Sequence, residues 1–377
     1  PSKNFLGRIF AFPYGYALAG TIAAVLIIAS VWLVPQKDNP QVALETGKVE
    51  KLQEKAFGEI TLLANQSPAD SSKPLAYGAG APEVSALGRG EIGMFRPVNY
   101  RYVYKGGDFS IGQEKITVYR KKDNGRLLEN ALGGILPDLD LKKINLKNFK
   151  NKKIKSLEIS EDRESGYSIY LDTRSNSVSI SQNWEKWGVV SSPERPQILN
   201  SEEAISIANK FIEEYSVDIS QYGKAETLPD SVTVVYPLKV DGKEVYDENG
   251  QKTGLFVNID PAGKKVIGLY NLEFNSFESS EYSPEIDEKK AVELAQAGGF
   301  YGAYPAVQEE AGETVAIGLG TPELKLVKFW SAGEKFENKE TYIPSLLFPI
   351  LDEEMPEYFF RKWIAVPLIG AIPNVLY

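Results

Sequence analysis

The chain has 377 residues, 43% of them apolar and 25% charged, which is the balance of a folded protein and excludes wholesale disorder or a collagen-like rod. Its 51 acidic residues outnumber 42 basic ones for a net charge of −9, which argues against a general nucleic-acid-binding surface. The chain has no Cys and no His, so disulfides, thiolate nucleophiles, thiolate-held metals and the usual general base near neutral pH are all excluded.

From Ile9 to Gln36 no side chain carries charge at pH 7, and Tyr14 to Val34 reads YGYALAGTIAAVLIIASVWLV. As a helix those residues span about 30 Å, the thickness of a bilayer's hydrocarbon core. Tyr14 and Tyr16 near one end and Trp32 near the other suit the two water interfaces, while Pro13 and Pro35 bracket the run. The pattern predicts a transmembrane helix over 14–34. A signal peptide has a shorter apolar region and a small-residue cleavage site, and Trp32-Leu33-Val34-Pro35 is not one. Lys3 and Arg8 before the span, against Lys37 balanced by Asp38, orient residues 1–13 as a cytoplasmic flank, with the large C-terminal region extracytoplasmic. A first residue of Pro rather than Met points to a longer natural N-terminus, which bears on that count.

Residues 35–94 read as a stalk and flexible linker. The stretch VALETGKVEKLQEKAF is helix-compatible, and Ser67 to Gly93 is rich in Ser, Ala, Gly and Pro with few large apolar residues. Residues 95–195 read as a strand-rich external domain. Tyr100–Tyr104 and Lys115–Tyr119 alternate as strands do, and Tyr167–Leu171 with Ser177–Ser181 forms a hairpin across Arg174-Ser-Asn176. Between them, Leu141 to Lys155 carries seven Lys; the run Lys142–Lys155 is a solvated face or a patch for anionic lipid or an acidic partner.

Residues 200–284 open on a helix, with Ser201 as its cap, Glu202 and Glu203 in its first turn, and a stripe of Ala204, Ile207, Ala208, Phe211 and Ile212. Strands follow at Ser231–Val240, Gly254–Ile259 and Lys265–Tyr270, joined by turns at Asp247-Glu-Asn-Gly250 and Asp260-Pro-Ala-Gly263. Residues 285–377 read as a second, divergent helix-plus-sheet module. Asp287 caps its helix, and its strands lie at Leu324–Trp330, Tyr342–Ile350 and Tyr358–Leu368. Val235-Tyr-Pro-Leu238 and Leu347-Phe-Pro-Ile350 share one order at corresponding places. The fold class expected is α+β, with antiparallel sheets each covered by one helix.

The helix opening Ser201-Glu-Glu-Ala, the strand ending Tyr236-Pro-Leu238, Val240-Asp-Gly-Lys-Glu-Val-Tyr246 and Leu255-Phe-Val-Asn-Ile-Asp260 followed by Gly263-Lys-Lys-Val266 together resemble a PepSY-type repeat. Such repeats are similar to propeptide-like modules of thermolysin-type proteases and to membrane-anchored bacterial accessory proteins of sporulation and envelope signalling. The likeness spans about residues 200–300, extends weakly over 285–370 as a possible tandem copy, and leaves 95–190 uncovered. It implies a non-catalytic module outside the cytoplasmic membrane that binds or restrains another protein, and it carries over no site residue.

A direct search for chemistry agrees. Gly-x-Ser-x-Gly, Ser-x-x-Lys and the phosphate-cradling glycine motifs are absent; Gly263-Lys-Lys lacks the upstream glycine, and Gly318-Leu-Gly320 lacks a third. Carboxylate pairs are the remaining route to an envelope hydrolase: Asp138/Asp140, Asp352 with Glu353/Glu354, and Glu278, Glu281, Glu285 and Asp287. Asp241 to Asn249 lacks the acidic spacing of a calcium loop and reads as a hairpin turn. Trp184 and Trp187 are candidates for stacking on sugars or peptides, against the plainer reading as core. The expected function is a single-pass, membrane-anchored, non-catalytic interaction or regulatory protein without metal or cofactor, touching the bilayer through 14–34 and docking another envelope or membrane protein. The alternative is a structural subunit of an envelope or surface assembly, with homo-oligomerisation open.

Overall fold

The computed structural model describes residues 47–63, 99–122, 154–173, 175–187, 199–228, 232–301, 314–332, 338–351 and 361–370. The apolar segment 14–34, the Ser/Gly/Ala/Pro stretch at 67–93 and nearly all of the lysine-rich run lie outside the described residues. Among the described residues, no helix is long and apolar enough to cross a membrane.

In chain order the elements are β1 (Val49–Lys51), β2 (Asn99–Tyr104), β3 (Ile116–Lys121), β4 (Ser156–Ser160), β5 (Tyr167–Asp172) and β6 (Ser177–Gln182). Helix α1 (Ser201–Glu214) precedes β7 (Glu226–Thr227), β8 (Thr233–Pro237), β9 (Lys239–Val240) and β10 (Lys243–Tyr246). Next come β11 (Gly254–Asp260), β12 (Lys265–Glu273) and β13 (Phe277–Tyr282). Helix α2 (Glu288–Gln296) leads through a short 3-10 turn, Gly299–Tyr301, to β14 (Thr314–Leu319), β15 (Glu323–Ala332), β16 (Asn338–Pro349) and β17 (Trp363–Pro367).

These elements form two compact units. Unit 1 takes its described residues from 47–48, 154–238 and 254–276, and unit 2 from 49–122, 239–253 and 277–370. In unit 1 a seven-stranded sheet runs β4-β5-β6-β12-β11-β8-β7, antiparallel throughout. The alternation of β11 puts Leu255, Val257 and Ile259 on one face, and α1 lays Ala204, Ala208, Phe211 and Ile212 against it. The helix begins at Asn200, whose side chain accepts from the Glu203 N–H at 2.9 Å. Ser201, expected as the cap, is the first helical residue and its hydroxyl meets that of Thr227.

The run expected as one strand over Ser231–Val240 is broken. The Pro237 carbonyl accepts from Gly223 N–H at 2.6 Å and Leu238 bridges Tyr222. Opposite the break, Gly254 has φ +152°, and a Cβ there would collide with the backbone at Tyr236 and Leu238. Asp241 and Gly242 both have positive φ and close the β9–β10 hairpin as a two-residue turn.

Unit 2 holds an eight-stranded sheet in the order β1-β13-β3-β16-β15-β10-β9, with β17 also on β16. A separate parallel pair joins β2 and β14. β16 is buried from Thr341 to Phe348, and its core includes Val327, Phe329, Ile343, Leu347 and Phe348. Helix α2, capped by Asp287 as the sequence indicates (Lys290 N–H to Asp287 Oδ1, 2.7 Å), adds Ala291, Leu294 and Ala295 to that core beside β2 and β17.

The α+β expectation is therefore corrected. Strands hold 48% and two helices with the 3-10 turn 12% of the described residues, and the sheets include a nearly closed barrel, so the fold is mainly β. The expected modules were purely antiparallel, yet β1 pairs β13 and β10 pairs β15 in parallel. Strands β4 to β6 join the sheet that α1 covers, and β16 lies between β15 and β3, unlike β8 between β11 and β7, so the two Pro-containing strands are not equivalent copies. The cause is long-range pairing, which local periodicity does not encode.

Residues 49–63, read as stalk, belong to unit 2. Phe57 packs on its core, Ile60 and Leu62 are buried, and Leu62 bridges Ser331 while Leu63 N–H donates to Trp330 O at 2.9 Å. Leu62 is fully buried, so Leu62→Ala is expected to destabilise unit 2 by about 3 kcal/mol. The exposed Leu324→Ala should change it by less than about 0.5 kcal/mol. Denaturant titration of both variants checks this; equal midpoints would show that residues 60–63 do not belong to the core.

Candidate interaction edge

The acids singled out by sequence do not converge. Glu278 and Glu281 point to opposite faces of β13 because strand side chains alternate. Glu281 pairs with Lys51 at 2.8 Å and with Lys115 at 3.9 Å, Glu285 accepts from Gly370 N–H at 3.0 Å, and Asp287 is a helix cap. Asp138, Asp140, Asp352, Glu353 and Glu354 lie outside the described residues. Among the described residues, no group of three or more carboxylates is arranged to hold a metal ion. In the stretch weighed as a calcium loop, Asp247 Oδ1 accepts from the N–H groups of Asn249 and Gln251, and Asp241 accepts from Tyr119 OH at 2.9 Å. Gly263 N–H is held by Asp260, and Gly320 N–H by Pro349 O.

Trp187 is a packing residue. Its indole N–H donates to Gly166 O at 2.7 Å and its ring meets Tyr167 edge-on at 5.7 Å. Trp184 is 62% exposed, the one of the pair that a ligand can reach. A charged cluster that no motif announced sits on β3, β15 and β16: Glu340 reaches Lys121 at 3.4 Å, Lys328 at 3.3 Å and Tyr342 OH at 3.2 Å. Burial pushes the Glu340 carboxyl up, but Lys328 and Lys121 outweigh it and hold the group below the usual carboxylate range. That is a satisfied structural network.

The most distinctive arrangement is the outer edge of β13, which residues 49–58 occupy as a strap. β1 pairs Val49, Glu50 and Lys51 with Phe277, Glu278 and Ser279. The chain then continues along the edge, with Leu52 N–H donating to Ser279 O at 2.8 Å and Lys55 N–H to Glu281 O at 3.0 Å. Two side chains of β13 serve the strap's backbone. Ser280 Oγ accepts from Ala56 N–H at 2.9 Å and donates to Gln53 O at 2.8 Å; Tyr282 OH accepts from Phe57 N–H at 3.0 Å and donates to Gly58 O at 3.2 Å. The ion pairs Lys51–Glu281, Lys115–Glu54 and Lys122–Glu50 flank it, all largely in solvent and hence individually weak. The Phe57 ring stacks on Tyr282 and carries the Arg120 guanidinium 4.3 Å from its centroid.

Sequence reasoning missed this edge. VEK is a three-residue strand inside a helix-compatible stretch, and its strand partner lies 228 positions away. Among the described residues, the sheet edges that short strands close are β1 and β9 in unit 2 and β7 in unit 1.

No family profile matches the chain, and no curated protein matches it. Among solved structures, an uncharacterized protein from Eubacterium rectale is similar at 12% identity, over 73% of this chain and 90% of that one, with a TM-score of 0.27. A likeness at that TM-score carries no argument.

Glu281 gives the strap an expected pH response. A hydrogen bond from Lys51 and its charge, with Lys115 adding, hold the Glu281 carboxyl below its usual range. A carboxyl lowered in the folded state contributes stability above its unfolded pKa of about 4.3 and loses it as pH falls through the folded value. Protection of the amides of residues 49–58, taken relative to the intrinsic exchange rate at each pH, is therefore expected to fall on acidification ahead of β11 and β12, and Glu281→Gln to flatten that dependence. Exchange of both regions in step at every pH would overturn it.

Proposed function

We propose that this chain is a membrane-anchored, non-catalytic interaction protein whose body lies outside the cytoplasmic membrane and docks another envelope or membrane protein through its sheet edges. The observation that carries the reading is the β13 edge, which receives an extended peptide by backbone pairing and by Ser280 and Tyr282, the chemistry of strand addition. The apolar run 14–34 supplies the anchor, by its length and its aromatic flanks. The resemblance of residues 200–300 to PepSY-type repeats points the same way. The described acids in caps and ion pairs favour binding over hydrolysis.

Photo-crosslinking groups at Lys51 on β1 and at exposed Glu158 on β4, introduced one at a time into the full chain in intact membranes, test the reading, with exposed Glu202 on α1 as the control. A discrete adduct from the strand positions, absent from the control and confined to the membrane fraction, is the expected result. Recovery of the full chain in the soluble fraction, or hydrolysis of a glycan or peptide by the detergent-purified full chain, would overturn it.

A further inference from the structure

Arg120 meets the strap through the Phe57 ring and not through an anion. Its Nε is buried without a hydrogen-bond partner, and among the described residues no carboxylate forms an ion pair with it. It stands on β3 between Glu278 of β13 and Thr341 of β16. Burial works against its charge, and Tyr282 and Glu278 only partly offset that. What covers it is an aromatic ring, Phe57, carried by the strap itself. A guanidinium N–H buried without an acceptor is costly even in a half-buried side chain, so the retention of Arg120 calls for a use.

The strap behaves as a peptide ligand bound in cis. It lies in parallel on a sheet edge, and Ser280 and Tyr282 each accept one of its amide hydrogens and donate to one of its carbonyls. Those four bonds read backbone only, so any extended peptide can make them. The strap offers no anion to Arg120. Its hold tightens along its length: residues 49–56 rest on hydrogen bonds to β13 and exposed ion pairs, Phe57 is half-buried against Tyr282, and Ile60 and Leu62 beyond the strap are sunk in the core. The first part can lift while the second stays.

Resting on the docking reading above, the geometry points to the β13 edge as the receptor for an acidic peptide strand of the partner protein. That strand displaces residues 49–58, takes over the bonds to Ser280 and Tyr282, and places a carboxylate where Phe57 now covers Arg120. The strap is then an internal competitor that sets how strongly a partner must bind. A charge-assisted, two-pronged contact from guanidinium to carboxylate is the term a partner has and the strap lacks.

The full chain tests this with two labelled peptides read by fluorescence anisotropy, one with the sequence of residues 48–60 and the same peptide carrying Phe57→Glu. The second is expected to bind about tenfold tighter, the worth of one charge-assisted contact. Arg120→Leu should erase the difference and Arg120→Lys should keep part of it. Because the chain has no native Cys, Lys51→Cys with Ser279→Cys, a registered cross-strand pair, can lock the strap by a disulfide. The locked chain should bind neither peptide until it is reduced. Equal affinities for the two peptides, binding by neither, or binding indifferent to the lock would each overturn the proposal. A membrane adduct from Lys51 together with equal affinities would remove the acidic-strand inference alone and leave the docking reading standing.

Discussion

A strand inside a sheet needs hydrogen-bond partners on both of its edges, and that requirement organises unit 2. β13 is satisfied on one side by β3 through six registered pairs and on the other by the strap. Without residues 49–58, Ser279 and Glu281 would lose the acceptor roles of their carbonyls, and the ring that covers Arg120 would be gone. β16 meets the same need with β15 on one edge and with β3 and β17 on the other, and it is buried along most of its length.

Local features were legible. The hairpin of β5 and β6, the stripe and acidic first turn of α1, the Asp287 cap and the turns at Asp247 and Asp260 all follow from rules acting over a few residues. What was not legible depends on partners far along the chain. Nothing in VEK announces that it completes a sheet opposite FES, and nothing in β10 announces a parallel partner in β15. Even the break in the run from Ser231 is set by Gly223 and Tyr222 binding across to Pro237 and Leu238. The candidate edge was hidden for the same reason. Arg120 reads as an ordinary strand arginine until Phe57 is seen above it.

The composition and the structure meet in how polar groups are used. A chain without Cys or His has carboxylates, ammoniums and hydroxyls left for specific work. Among the described residues these cap helices, close turns and clamp strands, with Glu340 holding two lysines as the most enclosed case. Such groups fix register and orientation, and fixed register is what a surface that receives an extended peptide requires.

The interleaving of the two units bears on the order in which the chain can be assembled. Unit 2 draws on segments both before and after the stretches that build unit 1. As the ribosome releases the chain, the strap emerges long before β13, and β3 long before β16. Neither early piece can be settled until the distant strand arrives, so unit 1 has its strands in hand while unit 2 still waits. Pairings at such separation close slowly and leave edges bare meanwhile. The short, charge-studded β1, a poor template for wrong neighbours, suits a segment that must wait that long.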